Sequence, residues 1–170
     1  MSHLEAGSQG GSARMVDVTK KRVSARSALA HAVVRFPSGV LERVLRAQGP
    51  KGAVEELARA AGILAAKRTG ELIPLCHPLG LDHVAIRFER LGPDRLELTC
   101  SAACRGRTGV EMEALVGVAL AALTVYDMSK GLDHGISIES LELLEKRGGR
   151  SGRWRARAGA RAGERRSEAR

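Results

Sequence analysis

Aromatic side chains are almost missing from this sequence: Phe36, Phe88, Tyr126 and Trp154 make up 2% of its 170 residues. With 44% hydrophobic residues there is enough for a core, but that core has to be aliphatic, built from Val, Ile, Leu and Ala. Cysteine is scarce as well. Cys76, Cys100 and Cys104 are an odd count with no paired Cys-x-x-Cys spacing, which excludes a disulfide framework or a zinc ribbon and suits a reducing, cytoplasmic setting. No run of about 18 apolar residues occurs, so no membrane span is expected. Met1 to Met15 lacks the apolar region of a signal peptide. A Gly-rich loop ending in Gly-Lys-Ser/Thr, a Gly-x-Gly-x-x-Gly turn and a His-Glu-x-x-His helix are all absent. These absences remove the common phosphate, dinucleotide and zinc-protease motifs.

Charge is unevenly spread. Residues 146–170 hold ten basic and two acidic residues, a net of +8, which leaves +1 of the total +9 for residues 1–145. The basicity is therefore read as a property of a C-terminal tail. Such a run is ordinarily a solvated extension. The competing reading is an RNA-binding module that uses the tail. A nearly neutral body with almost no rings for stacking speaks against it.

Residues 1–14, rich in Gly and Ser, read as a flexible lead-in, and 155–170 as a disordered Arg-rich tail. Between them, residues 15–154 read as one domain. Ala28 to Phe36 predicts a strand, broken by Pro37-Ser38. Val40, Leu41, Val44 and Leu45 mark one face of a short helix, ended by Gly49-Pro50. A second helix is expected over Gly52 to Lys67, with Val54, Leu57, Ala58, Ala61 and Leu64 as its stripe. Pro74 and Pro78 make residues 73–79 an extended, rigid loop. Val84, Ile86 and Phe88 alternate with polar neighbours, as do Leu96, Leu98 and Cys100, and Gly92-Pro93-Asp94 joins the two as a hairpin. A long helix is expected from Gly109 to Lys130, then a strand through Ile136, Ile138, Leu141 and Leu143, closed by Gly148-Gly149. The order predicts an α+β fold, a ferredoxin-like βαββαβ sandwich with an extra helix in the first crossover.

Polar candidates stand out within this frame. Cys76 and His77 are adjacent on an extended chain, so they point apart and do not form a nucleophile pair. His77, braced by prolines, suits proton transfer or anion binding, with a purely structural histidine as the alternative. Cys100 and Cys104 sit roughly 13 Å apart along a strand, too far to share one metal ion, and read as buried small hydrophobes. Asp127 and Lys130 share a helix face, either as a surface ion pair or as a functional pair. Glu111 and Glu113 lie in the first turn, where carboxylates favour the helix dipole. Glu113 and Asp127 are fourteen residues apart, about 21 Å on a helix, so both can serve one pocket only across two subunits. Lys51, before a helix start, could hold a phosphate together with free backbone N–H groups.

Longer strings narrow the reading. Met15-Val16-Asp17-Val18, Ala65-Ala66-Lys67-Arg68-Thr69, Leu72 to Leu79, Thr108 to Leu115, Ala121 to Met128 and Gly148 to Gly152 occur in that order. Together they resemble the cyclic pyranopterin monophosphate synthase family, MoaC, over roughly residues 15–154. The resemblance implies a ferredoxin-like lyase in a homohexamer, a trimer of dimers with active sites at dimer interfaces. It implies a substrate from a radical SAM cyclase, a dihydro-GTP whose ribose is joined to the guanine ring. The implied products are cyclic pyranopterin monophosphate and pyrophosphate, made without metal or organic cofactor. Residue by residue it implies catalytic roles for Lys51, Lys130 and Asp127, with His77 beside them. It implies substrate binding by Leu75, Cys76, His77, Met112 and Glu113, with Glu111, Lys67 and Arg26 as further polar contacts. The chain departs from the family pattern at Ala53, Ser129 and Gly131, and Gly131 predicts an early end to the long helix.

Overall fold

The computed structural model of the chain describes residues 13–46, 48–49 and 52–157. Along the chain come β1 (Ser24–Arg35), α1 (Val40–Arg46), β2 (Gln48–Gly49), β3 (Gly52–Ala53), α2 (Val54–Lys67) and α3 (Thr69–Leu72). Then follow β4 (His83–Arg90), β5 (Arg95–Gly106), α4 (Glu111–Ser129), β6 (Ser137–Arg147) and β7 (Arg153–Arg155). The main sheet runs β4-β5-β1-β6-β7 with every neighbouring pair antiparallel. Its four long strands stand in the spatial order second, third, first, fourth, which is the ferredoxin-like α+β arrangement the element order predicts. The extra helix of the first crossover is α1, and α4 ends at Ser129, just before Gly131.

Both main helices cover one face of the sheet. Ala28, Ala30, Ala32 and Val34 of β1 and Leu96, Leu98, Cys100, Ala102 and Cys104 of β5 are buried beneath them. Small residues let the helices meet closely. A Cβ on Gly62 of α2 would stand 2.7 Å from the Gly117 carbonyl oxygen of α4, and one on Gly117 would stand 2.9 Å from Cys100 Sγ. This close crossing explains how a nearly ring-free chain fills its core. It also corrects the expected stripe of α2. That helix buries Val54, Ala58, Gly62, Ala65 and Ala66, while Leu57 and Leu64 face outward. By length and composition α4 could cross a membrane. Its Ala114, Val118, Ala121, Ala122 and Val125 instead form part of the core.

Pairing in β6 slips between Leu29/Ala30 and again between Val33/Val34 of β1. These irregularities account for Ile138 and Leu141, three apart, both pairing with the helix-facing row of β1. The charge of the C-terminal region is partly structural. Lys146 and Arg147 close β6, Arg153 and Arg155 flank Trp154 on β7, and Ala156 N–H bonds the Leu144 carbonyl at 2.9 Å. Buried Glu145 takes Arg153 at 3.0 Å and Arg155 at 2.5 Å, and pairs with Arg147. The basic residues up to 155 are thus not all tail, as the sequence had suggested. Residues 1–12 and 158–170 lie outside the described residues.

Candidate active site

The first turn of α4 opens at the end of the sheet where β1 begins and β5 and β6 finish. Glu111 carries its carboxylate beneath Gly109, where a Cβ would overlap it, and receives Lys146 Nζ at 2.8 Å. Glu113, two residues on and pointing to another side of the helix, is only 2% exposed, and its Oε2 has no hydrogen-bond partner. Burial raises the Glu113 carboxyl above the ordinary range, and the Glu111 charge adds to this, against a lowering hydrogen bond from its own backbone. A carboxyl in that state keeps its proton longer and can donate a hydrogen bond. Met112, between the two glutamates, is exposed.

The proline loop lies against this turn. Burial, and then the charge of Glu113, push the Cys76 thiol up. The Cys104 thiol is raised by burial, Glu113 and Asp82 and opposed by Arg26, so these groups share one electrostatic neighbourhood. Cys100, deeper in the core, is pushed up to about 12 by burial and is inert packing. Leu75 has φ of 63°, the sole positive value at a non-glycine among the described residues, a backbone state that costs energy for leucine. His77 Nε2–H donates to the Val16 carbonyl at 2.8 Å. That bond fixes Nε2 as a donor and ties the loop to the N-terminal arm. Arg26 reaches the same end of the sheet from β1, and its Nη2 donates to the Arg107 carbonyl at 3.3 Å.

Asp127 and Lys130 stand apart from this group. Their ion pair measures 2.7 Å at the opposite end of α4, with both side chains more than half exposed. The hydrogen bond that Lys130 donates to Asp127, together with the aspartate's charge, raises Lys130, so in the single chain this lysine is held as an ammonium ion. Lys67 ends α2 exposed to solvent. Lys51 lies outside the described residues. One chain therefore brings together Arg26, Leu75, Cys76, His77, Glu111 and Glu113, and leaves Asp127 with Lys130 a helix length away.

Comparison with known proteins bears on this geometry. A family model described as the MoaC family matches residues 15–149. The chain belongs to the MoaC family. A protein of Novosphingobium aromaticivorans named cyclic pyranopterin monophosphate synthase is 50% identical over 156 residues, 92% of this chain and 97% of the relative. One of Chloroflexus aggregans with the same name is 49% identical over 158 residues, 91% of this chain and 92% of its own length. A third, of Mycobacterium bovis, is named cyclic pyranopterin monophosphate synthase 3 and is 48% identical over 155 residues, 91% of this chain and 86% of its own.

Within this MoaC-family chain, Lys146 is the site neighbour that the sequence reading missed. It counts there as the first residue of a basic tail, whereas β6 places it on Glu111. The usable signal is its position before Gly148-Gly149, at the end of an alternating strand. Ser129, a departure from the family pattern, is buried with its Oγ unpartnered.

Proposed function

We propose that the chain is a cyclic pyranopterin monophosphate synthase, a lyase of molybdenum cofactor biosynthesis. In this reading it converts 3',8-cyclo-7,8-dihydroguanosine triphosphate to cyclic pyranopterin monophosphate and pyrophosphate. The observation that carries the reading is 50% identity over 92% of the chain to a relative of that name. The reaction needs protons moved at the purine ring while it opens, and a triphosphate held while a cyclic phosphate closes and pyrophosphate leaves. No oxidant or reductant is consumed. Glu113 and His77 supply hydrogen bonds to the heterocycle, with Leu75, Cys76 and Met112 lining it. Arg26, Lys67 and Lys146 supply positive charge. Lys51 and Lys130 transfer protons. Asp127 keeps Lys130 charged, so Lys130 enters the cycle as an acid.

The two ends of α4 contribute to one site only if subunits share it. We therefore propose a homohexamer, a trimer of dimers, with interface active sites. The enzyme would work in the cytoplasm, after a radical SAM cyclase. The test is to offer the purified chain the cyclised dihydro-GTP and follow pyrophosphate. Release from that substrate and none from GTP is expected; no release from either refutes the proposal.

A further inference from the structure

The Gly148-Gly149 turn lies directly on Arg26. Gly148 and Gly149 have φ of 101° and 71°, values that favour glycine. The turn is closed by Gly148 N–H to the Gly152 carbonyl at 3.0 Å and Gly152 N–H to the Gly149 carbonyl at 3.2 Å. A Cβ on Gly148 would overlap the Ala25 carbonyl oxygen, and one on Gly149 would overlap the Arg26 guanidinium. Bare backbone thus packs where any side chain would displace the arginine.

Arg26 is otherwise weakly held. Its one hydrogen bond is the 3.3 Å contact to Arg107, its Nε is buried without a partner, and no carboxylate pairs with it among the described residues. Ser24, two residues earlier on the same face of β1, also buries its Oγ without a partner. Ser24 pairs in register with Gly106, which puts no side chain opposite it. A buried guanidinium Nε and a buried hydroxyl left unsatisfied are costly in the empty chain and recover that cost when an anion arrives.

We infer that the Gly148-Gly149 turn is a positioning element that sets the Arg26 guanidinium for a phosphoryl group of the substrate, with Ser24 as the neighbouring hydroxyl donor. This inference rests on the function proposed above for the same site. The glycine pair acts through Arg26: it fixes where the charge stands, and the cation does the binding.

The experiment measures Kd for inorganic pyrophosphate by titration calorimetry, and KM and kcat for the cyclised substrate. The chains compared are the unmodified one, Gly149→Ala, Arg26→Ala, the double variant and Ser24→Ala. Gly149→Ala is expected to raise Kd and KM about tenfold, with kcat falling less than threefold. In the Arg26→Ala background it should add less than twofold, because the group it collides with is gone. A merely structural glycine would weaken both backgrounds alike, and that additive result would overturn the inference. So would unchanged Kd and KM in Gly149→Ala, or no pyrophosphate binding by the unmodified chain. If Gly149→Ala does not fold, Ser24→Ala decides: a threefold or larger rise in Kd with an unchanged melting temperature supports the subsite, and an unchanged Kd overturns it. Pyrophosphate binding without turnover would defeat the proposed reaction and leave the positioning role standing.

Discussion

Lys146 Nζ stands 2.8 Å from Glu111 Oε1, joining the last long strand of the sheet to the first turn of α4. Both side chains are partly solvated, so the pair itself contributes little to stability, about 1 kcal/mol or less. Lys146→Met should therefore lower the melting temperature by only a few degrees. It should reduce turnover at least tenfold, because the cation paired with Glu111 at the site is lost. Calorimetric melting together with steady-state kinetics checks this. A large loss of melting temperature with normal turnover would assign the pair to structure alone.

Glu113 carries a pH signature of a definite sign. Its carboxyl is raised, by burial first. Between the ordinary carboxylate range and that raised value, the folded chain holds a proton the unfolded chain has released, so stability falls as pH rises through the window. Glu113→Gln has no such proton to lose. It should match the unmodified chain near pH 4, exceed its stability near pH 8, and be impaired in turnover. Melting curves across pH read the difference, and parallel curves would contradict it.

Glu145 has the opposite sign. Hydrogen bonds from Arg153, Arg147 and Arg155 hold its carboxyl well down, to about 2. Its contribution is present above the ordinary carboxylate range and lost as pH falls toward about 2. Glu145→Gln should reduce stability at neutral pH and bring its melting temperature close to that of the unmodified chain below about pH 2. A deficit of equal size at both ends of the range would show that the loss comes from packing.

Lys51 and Lys130 are proposed to move protons. Arginine keeps the positive charge but does not readily give up its proton. Lys51→Arg and Lys130→Arg should each retain substrate binding and lose roughly 10²-fold or more in turnover. Asp127 raises Lys130, so Asp127→Asn should shift the alkaline limb of kcat to lower pH. Near-normal turnover in both arginine variants would reduce the lysines to phosphate binding.

The fold was legible wherever a pattern repeats. Alternation marked β4 and β5, apolar stretches marked β1 and β6, and Gly131 foretold the end of α4. Two-residue strands such as Gln48–Gly49 carry no period, and Arg-Trp-Arg reads as tail until Glu145 is seen to collect its arginines. The buried face of α2 was misjudged because leucine outranks glycine in any hydrophobic stripe. What selects that face is the close approach of Gly62 to Gly117, which involves residues 55 apart in sequence. In the candidate site, single motifs marked Cys76, His77, Glu111 and Glu113. Lys146 joins them through strand register, which the local sequence does not encode.

The central claim is the reaction, and the identity of its products tests it most directly. The purified chain would be incubated with enzymatically made 3',8-cyclo-7,8-dihydroguanosine triphosphate, and the mixture resolved by liquid chromatography with mass detection. The account predicts cyclic pyranopterin monophosphate and pyrophosphate in equal amounts, with the substrate consumed in step. Substrate recovered intact, or its triphosphate cleaved with the purine ring unopened, would contradict it.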